Sequence, residues 1–299
     1  MTATTERADE KVERPHKPPG QIRGRVVVST VILILVVWSV LGINISIARI
    51  VGAPADIWDI VKQMIPPNLE WEYIKDVLGK VMESIYIAWI GTIIGAVISL
   101  PLAFAAAANT SPRWIQIPVR IFFSAVRAFP ELILAIFFLP VVGLGPWAGA
   151  LAIGLHSVGT LGKLSTEAIE SLDGGPMEAV DAAGGKWSSK MRWAVMPQVM
   201  PVVVALWLFR FEINIRASAV LGLIGAGGVG SELVGRLNFR EFDKAGTVLL
   251  ITAIVVIIVD TISASVRRRL IRGSGRRPEE NATYEAMGDL TGIRPQTGI

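Results

Sequence analysis

The 299-residue chain contains no cysteine and only two histidines, His16 and His156. The first absence excludes a disulfide framework and any thiolate metal site. The second leaves too few ligands for a metal centre, so no metal is expected. Charge is sparse too: 18% of residues are Asp, Glu, Lys or Arg, against 52% hydrophobic. Soluble domains carry about 25% charged residues, so the composition places this chain in a membrane. A nucleotide-binding G-x-x-x-x-G-K-[ST] loop is also missing. Gly162-Lys163 comes nearest, but Ser157 stands where the first Gly belongs and Leu164 where Ser or Thr belongs. The chain is not expected to hydrolyse ATP itself. No HExxH pair and no catalytic Cys suggest an embedded enzyme. No cofactor and no nucleic-acid partner are expected.

What is present is a series of apolar runs, each long enough to cross a bilayer. They cover Val26–Ile47, Ser84–Ala107, Ile117–Val142, Trp147–Leu164, Gln198–Leu221 and Ala245–Val266. This predicts an all-α, polytopic membrane protein of about six transmembrane helices. Residues 1–25 and 273–299 are polar and read as disordered tails, leaving a transmembrane domain over 26–272. A cleaved signal peptide ending near Ala53-Pro-Ala55 is the alternative reading of the first run, which is longer than a usual signal core. Residues 50–82 alternate apolar with acidic and are broken by Pro66-Pro67, as in an amphipathic segment on the outer surface.

Basic residues orient the chain. Arg23 and Arg25 precede the first run, and Arg113 and Arg120 flank the loop after the second. Lys163, Lys186, Lys190 and Arg192 lie around the 163–197 loop, and Arg267–Arg269 with Arg272 follow the last run. With six spans all of these fall on one side, which is therefore cytoplasmic, as are both termini.

The loop over about 173–197 is the most informative stretch. Asp173-Gly-Gly-Pro176 reads as a helix start, with a capping carboxylate and a Pro where no donor is needed. Met177, Val180 and Ala183-Gly184 recur at helical spacing, and Gly184-Gly185 reads as a stop. A helix this short is marginal alone and needs packing against something.

Glu178–Pro197 reads EAVDAAGGKWSSKMRWAVMP. It resembles the EAA loop of ABC-transporter permeases, with Val180, Ala194 and Met196 departing from the pattern E-A-A-x3-G-x9-I-x-L-P. Two further stretches, 100–109 (LPLAFAAAAN) and 211–230 (FEINIRASAVLGLIGAGGVG), together with Arg127-Ala-Phe-Pro-Glu131, are similar to the permease of phosphonate-uptake ABC transporters. The similarity covers roughly residues 50–270. It implies a type I importer permease, working as a homodimer in the bacterial inner membrane. It implies two ATPase subunits, docked on a coupling helix that includes Glu178, Ala179, Asp181, Gly184 and Pro197. It also implies an extracytoplasmic substrate-binding protein. Gly225–Gly230 fits the dinucleotide fingerprint G-x-G-x-x-G, but membrane runs flank it where a strand and a helix are required. A tight re-entrant turn near the outer face is expected there instead.

Charges inside a bilayer cost several kcal/mol by insertion scales, so each needs a reason. At about 1.5 Å per residue, Arg127, Glu131, His156, Arg210, Glu212 and Arg216 share one slab near mid-membrane. Three arginines against two glutamates leave +1 per chain with His156 neutral. One reading is an anion path lined by Arg127, Arg210 and Arg216, with Glu131, Glu212 and the neutral Asn214 beside it. The other is structural pairing, Arg127 with Glu131 and Glu212 with Arg216, each at i, i+4. Arg210 has no such partner. His156 reads as an interhelical hydrogen bond, and Asp260 as a partner of Arg267–Arg269. The expected cargo is a phosphonate or related phosphorus oxyanion, moved by alternating access. Rival readings are a permease for methionine or phosphite, and a proton-coupled carrier using Glu131, Glu212 and His156, which would not need the EAA loop.

The orientation is testable because the chain has no native thiol. Asp59→Cys should react with an impermeant thiol reagent on intact cells, and Arg272→Cys should not. Labelling of the second in intact cells would refute the six-span topology.

Overall fold

Pro130 decides how the apolar middle of this chain folds. It lacks an amide donor and disfavours a helical residue before it. Phe129 accordingly is extended, with φ −92° and ψ 121°. In the computed structural model, which describes residues 19–42 and 47–272, the run over 117–142 is therefore two helices. These are α4 (Arg113–Ala128) and α5 (Glu131–Val142), bent by 87°. The expected straight span, and with it the i, i+4 pairing of Arg127 and Glu131 on one helix, is corrected. Arg127 closes α4 and Glu131 opens α5.

All regular structure among the described residues is helical. The chain divides into two units at Val61. The first holds α1 (Pro19–Gly42) and most of α2 (Ile47–Gln63). α1 begins at Pro19, because Gln21–Arg25 can continue a helix that Pro opens without losing a bond. The apolar side chains of α1 are exposed from Val26 to Leu41, a surface suited to lipid. The tails over 1–18 and 273–299 lie outside the described residues.

The second unit holds α3 (Trp71–Ala106), α4, α5, α6 (Pro146–Glu170), α7 (Gly175–Ala182) and α8 (Trp187–Lys190). A π-helical turn (Met191–Val195) leads into α9 (Met196–Gly222), followed by α10 (Gly228–Asn238) and α11 (Phe242–Arg272). Four stretches are long and apolar enough to cross a membrane: α1, α3, the continuous rod Trp187–Gly222, and α11. The bent α4–α5 pair makes a fifth. α6 has the length, 25 residues, but its Gly, Ser, Thr and His content lowers its apolarity. It is the most enclosed of the long helices, so neighbouring helices rather than lipid cover it. The described residues thus hold four to five spans by length and apolarity rather than the expected six, and α6 takes the place of the run expected over Trp147–Leu164. Several overshoot: α3 and the rod have 36 residues each, about 54 Å at 1.5 Å per residue, against an apolar core of about 30 Å. Helix propensity carries them past the apolar windows into polar flanks.

Small residues set how closely the helices meet. A Cβ on Gly91 of α3 would lie 2.7 Å from the Ile153 side chain, and one on Gly95 would lie 2.5 Å from Ser157 Cβ. Backbone approach through small residues is how helices gain contact area in lipid, where no hydrophobic force drives them together. Around this contact Ile87, Ala135, Ala150, Ala152, Ile153 and Leu221 form one core cluster. Towards the α7 end a second cluster joins Ala103, Ile169, Val195, Val199 and Val203, with Met177 packed on it.

After α9 the chain turns back on itself, as expected for the Gly-rich stretch. Gly225, Gly227 and Gly228 take φ of 89°, 76° and 73°, a region that costs an L-residue about 1–2 kcal/mol. Val229 N–H then donates to Ser84 Oγ at 2.9 Å, and Ser218 Oγ donates to the Ser84 carbonyl at 3.0 Å. No strand precedes the turn, so the dinucleotide fingerprint is fortuitous. At the far end of α10, Arg236 donates to Glu232 (2.7 Å) and Glu241 (2.6 Å) and lies over the Tyr73 ring. The Arg236 and Lys244 hydrogen bonds hold the half-buried Glu241 carboxyl below the ordinary range.

Two substitutions on α10 should separate close packing from helix propensity. A Cβ on Gly230 would sit 1.9 Å from the Ala219 carbonyl oxygen, whereas Gly235 has open space around it. Gly230→Ala should lower the melting temperature and yield of the purified protein. Gly235→Ala should leave both unchanged or raise stability by up to about 1 kcal/mol. Equal behaviour of the two would refute the packed turn.

Candidate functional site

The intramembrane charges fall into two groups. In the first, α9 and α11 exchange ion pairs. Arg216 donates to Glu212 on its own helix (3.1 Å) and to Asp260 on α11 (3.0 Å). Arg267 approaches Glu212 at 3.6 Å and stacks over Phe209. The i, i+4 pairing of Glu212 with Arg216 is present, while Asp260 pairs with Arg216 rather than with the arginines after it. Two acids and two arginines close this group at zero net charge.

The second group gathers at the α4–α5 break. Glu131 Oε2 lies 3.4 Å from His156 Nε2, and His156 Nδ1 lies 3.1 Å from the Phe129 carbonyl. The interhelical contact expected of His156 is thus made with the carbonyl that the break exposes. Arg127 is exposed, has no carboxylate partner among the described residues, and lays its Cγ where a side chain on Gly159 would go. Arg210 is 7% exposed. Its Nε donates to Ser157 Oγ at 3.1 Å, and one terminal nitrogen has no hydrogen-bond partner among the described residues. Its charge acts on both Glu131 and His156.

Asn214 is fully buried beside Arg210. Its amide donates to Thr92 Oγ1 of α3 (2.8 Å) and to the same Ser157 hydroxyl of α6 (3.1 Å). Arg210 and Asn214 are therefore fixed by one shared acceptor. Sequence reasoning missed Ser157 and Thr92. They look like ordinary small polar residues in apolar helices, and only the Gly95–Ser157 approach brings them to α9.

The two groups meet at a cavity of about 470 Å³, lined by Glu131, Leu132, Ile213, Arg216, Ala217 and Val220 among others. Glu131 reaches it from the start of α5 and Arg216 from α9. Among the described residues no cluster of His, Asp and Glu could hold a metal ion.

The loop segment folds as its residues suggest. Asp173 Oδ1 accepts from Gly175 N–H at 3.1 Å in the turn before α7, but the N-cap itself is Gly174, so Asp173 is not the capping residue expected. Gly184 N–H donates to the Asp181 carbonyl and Gly185 N–H to the Val180 carbonyl, each at 2.9 Å. With Gly184 at φ 69°, this is a Schellman stop. Met177 and Val180 are half-buried, but Ala183 and Gly184 are exposed rather than part of the packed face. Glu178, Ala179 and Asp181 are exposed as well. Lys190 pairs with Asp181 at 2.6 Å and ties α7 to the rod. Pro197 sits in the first turn of α9 inside the continuous rod, so the bond that its missing donor cannot make falls on the π-helical turn before it. Trp187 and Trp193 stand exposed nearby.

Comparison with known proteins is consistent on this architecture. Residues 99–274 match the family described as binding-protein-dependent transport system inner membrane component. The chain is 36% identical over 246 residues to the phosphite transport system permease protein PtxC of Stutzerimonas stutzeri, covering 82% of this chain and 88% of that one. It is 39% identical over 216 residues to the phosphate-import permease protein PhnE of Mycolicibacterium smegmatis, covering 71% of this chain but only 40% of that longer relative. Among solved structures, a chain of the MetNI methionine ABC transporter in an inward-facing form superposes with a TM-score of 0.59 at 19% identity, over 68% of this chain and 99% of that one. The helical order, the bent α4–α5 pair, the α7 segment and the matched sequence have one common explanation: this chain belongs to the binding-protein-dependent transport system inner membrane component family and has the fold of a type I ABC importer permease.

Proposed function

We propose that this chain is the membrane subunit of an ATP-driven importer for phosphonate or a related phosphorus oxyanion. The observation that carries the reading is the exposure of Arg127 and Arg216 on the surface of a single chain, with Glu131 half-buried between them, in or beside apolar helices. Ionisable groups at membrane depth face protein or a water-filled path rather than lipid. That face is therefore the one turned to a second copy of the chain and to the pathway between them. The charge sum gives the sign of the cargo. With Arg216, Glu212, Asp260 and Arg267 closing among themselves, Arg127 and Arg210 outweigh Glu131, leaving +1 per chain and +2 per dimer. Guanidinium suits the oxygens of a phosphorus oxyanion. Asn214 holds Arg210 through the shared Ser157 hydroxyl. Relatives named for phosphate and phosphite import support this cargo over methionine, since the methionine transporter resembles this chain in fold alone.

In this reading both termini are cytoplasmic. Two ATPase subunits dock on the exposed side of α7 and perform the hydrolysis, and a soluble binding protein delivers cargo from outside.

Charge at Arg210 tests the pathway. Arg210→Gln retains a donor for Ser157 and removes the positive charge. In the assembled complex it should cut phosphonate uptake about tenfold or more, the effect of one unit charge roughly 10 Å away at an effective dielectric of about 20. Complex levels and basal ATP hydrolysis should be retained. Unchanged uptake would remove Arg210 from the path. Arg127→Gln should act in the same direction.

The docking role of α7 has a separate test. Valine at position 184 is strained at positive φ by about 1–2 kcal/mol or more, so Gly184→Val should unseat the helix stop. Substrate-loaded binding protein should then no longer stimulate ATP hydrolysis in an assembled complex, and Glu178→Lys should weaken the same stimulation. Normal stimulation in both would sink the docking role.

A further inference from the structure

We infer that Glu131 and His156 hold one proton between them, and that this proton sets the positive charge the pathway presents to an anion. The inference rests on the importer reading above. The Phe129 carbonyl oxygen can only accept, so the His156 nitrogen 3.1 Å from it, Nδ1, carries a hydrogen. In the neutral ring Nε2 is then a bare lone pair. It lies 3.4 Å from Glu131 Oε2, and an ionised carboxylate is also only an acceptor. Two lone pairs held at that distance repel. A proton on either partner removes the conflict, giving carboxylic acid against imidazole or carboxylate against imidazolium. Both arrangements carry zero net charge.

The surroundings make this proton consequential. Four elements of the second unit pack closely against α6. α4 presents Arg127, α5 presents Glu131 itself, and α9 presents Arg210, with Arg216 on the far wall of the cavity that Glu131 lines. α3 offers only uncharged residues along this contact, Gly91, Thr92 and Gly95 among them. With the proton in place, Arg127 and Arg210 act uncompensated and the group carries +2. Without it, Glu131 subtracts one charge and leaves +1. His156 is thus a positioning residue: it fixes the break at Phe129 and masks the one carboxylate that opposes the anion there. The proton is held, not transported, since the driving force comes from the ATPase partners.

The test measures methylphosphonate uptake by the reconstituted complex from pH 6 to pH 9, with each variant expressed as a ratio to the unaltered chain at the same pH. The ratio cancels the titration of the substrate and of the ATPase. His156→Asn keeps an amide donor for Phe129 and leaves Glu131 unmasked. Its ratio should be about one tenth at pH 6, the effect of one unit charge roughly 10 Å away at an effective dielectric of about 20. It should rise toward one as the pH is raised and the unaltered chain gives up the shared proton. Adding Glu131→Gln to His156→Asn removes the unmasked charge and should restore uptake at pH 6. A ratio that does not vary with pH, or a double variant no better than His156→Asn, would overturn the inference. If His156→Asn alone fails to assemble, recovery of complex in the double variant supports it, and failure of both overturns it. Absence of uptake by the unaltered complex would instead refute the importer reading.

Discussion

The contact between α3 and α6 is the constraint from which the rest of the second unit follows. Gly91 and Gly95 let α6 approach until Ile153 and Ser157 meet the α3 backbone. At that distance one serine hydroxyl can serve two groups of a third helix, and Ser157 accepts from both Arg210 and Asn214 of α9. Widening the contact by one methyl would part Asn214 from either Thr92 or Ser157. Its buried amide would then lose a partner, at a cost of about 1–3 kcal/mol. The remaining helices take positions on α6 that this core leaves open. α4 and α5 meet it on either side of the Phe129–Pro130 break, which delivers Glu131 and the Phe129 carbonyl to His156.

The pairing of charges follows the same geometry. A lone charge at membrane depth is costly, and pairing is worthwhile only with good geometry on both partners. α9 and α11 satisfy this by exchange: Arg216 binds Asp260, while Arg267 answers Glu212. That network balances its own charge, though Glu212 Oε2 and Asp260 Oδ1 have no hydrogen-bond partner among the described residues. The group at the break is different in kind. Arg127 has no carboxylate partner among the described residues, and one nitrogen of Arg210 lacks any hydrogen-bond partner there. A folded core that closes one set of charges and leaves another open is arranged to meet something that the isolated chain does not contain. An oxyanion between two such faces fits that description.

The sequence carried the helical runs, the loop between Asp173 and Pro197, and the Gly184–Gly185 stop. Each is local: apolar length, a carboxylate in the turn before a helix, a residue that tolerates positive φ. The bend at Pro130 is not read from the sequence, where the mainly apolar run over 117–142 suggests one span despite Arg127 and Glu131. A proline in a membrane helix can kink or break it, and only packing against α6 decides which. Long-range pairing was hidden. Asp260 stands about two turns from a cluster of arginines in the sequence, and nothing local reveals that Arg216 of another helix reaches it first. Ser157 and Thr92 gave no signal either, because their importance lies in the closeness of two backbones. Helix ends were missed where apolar windows stopped and helices did not, as at Trp71 and Trp187.

Those extended ends bear on how the two working parts of the chain communicate. α7 carries the exposed Glu178, Ala179 and Asp181, and Asp181 is bound to Lys190. Lys190 ends α8, and from there the π-helical turn and α9 continue as one rod to Gly222. Arg210 lies twenty residues beyond Lys190 on that rod, about 30 Å at 1.5 Å per residue. A hydrogen-bonded helix resists bending far more than the loops at its ends do, so force applied at α7 is delivered along the rod to the site where the open charges lie. The five-residue π-helical turn breaks the α-helical bonding in that path. Its wider hydrogen bonding accommodates an extra residue in the turn, which makes Met191–Val195 the point where the rod can yield. The near end of the rod is anchored by Val195 and Val199 against Ala103 and Ile169. The α7 segment and Arg210 therefore stand on opposite sides of a packed fulcrum, which is the arrangement that the proposed importer would need to pass a movement at α7 on to the charges at the α4–α5 break.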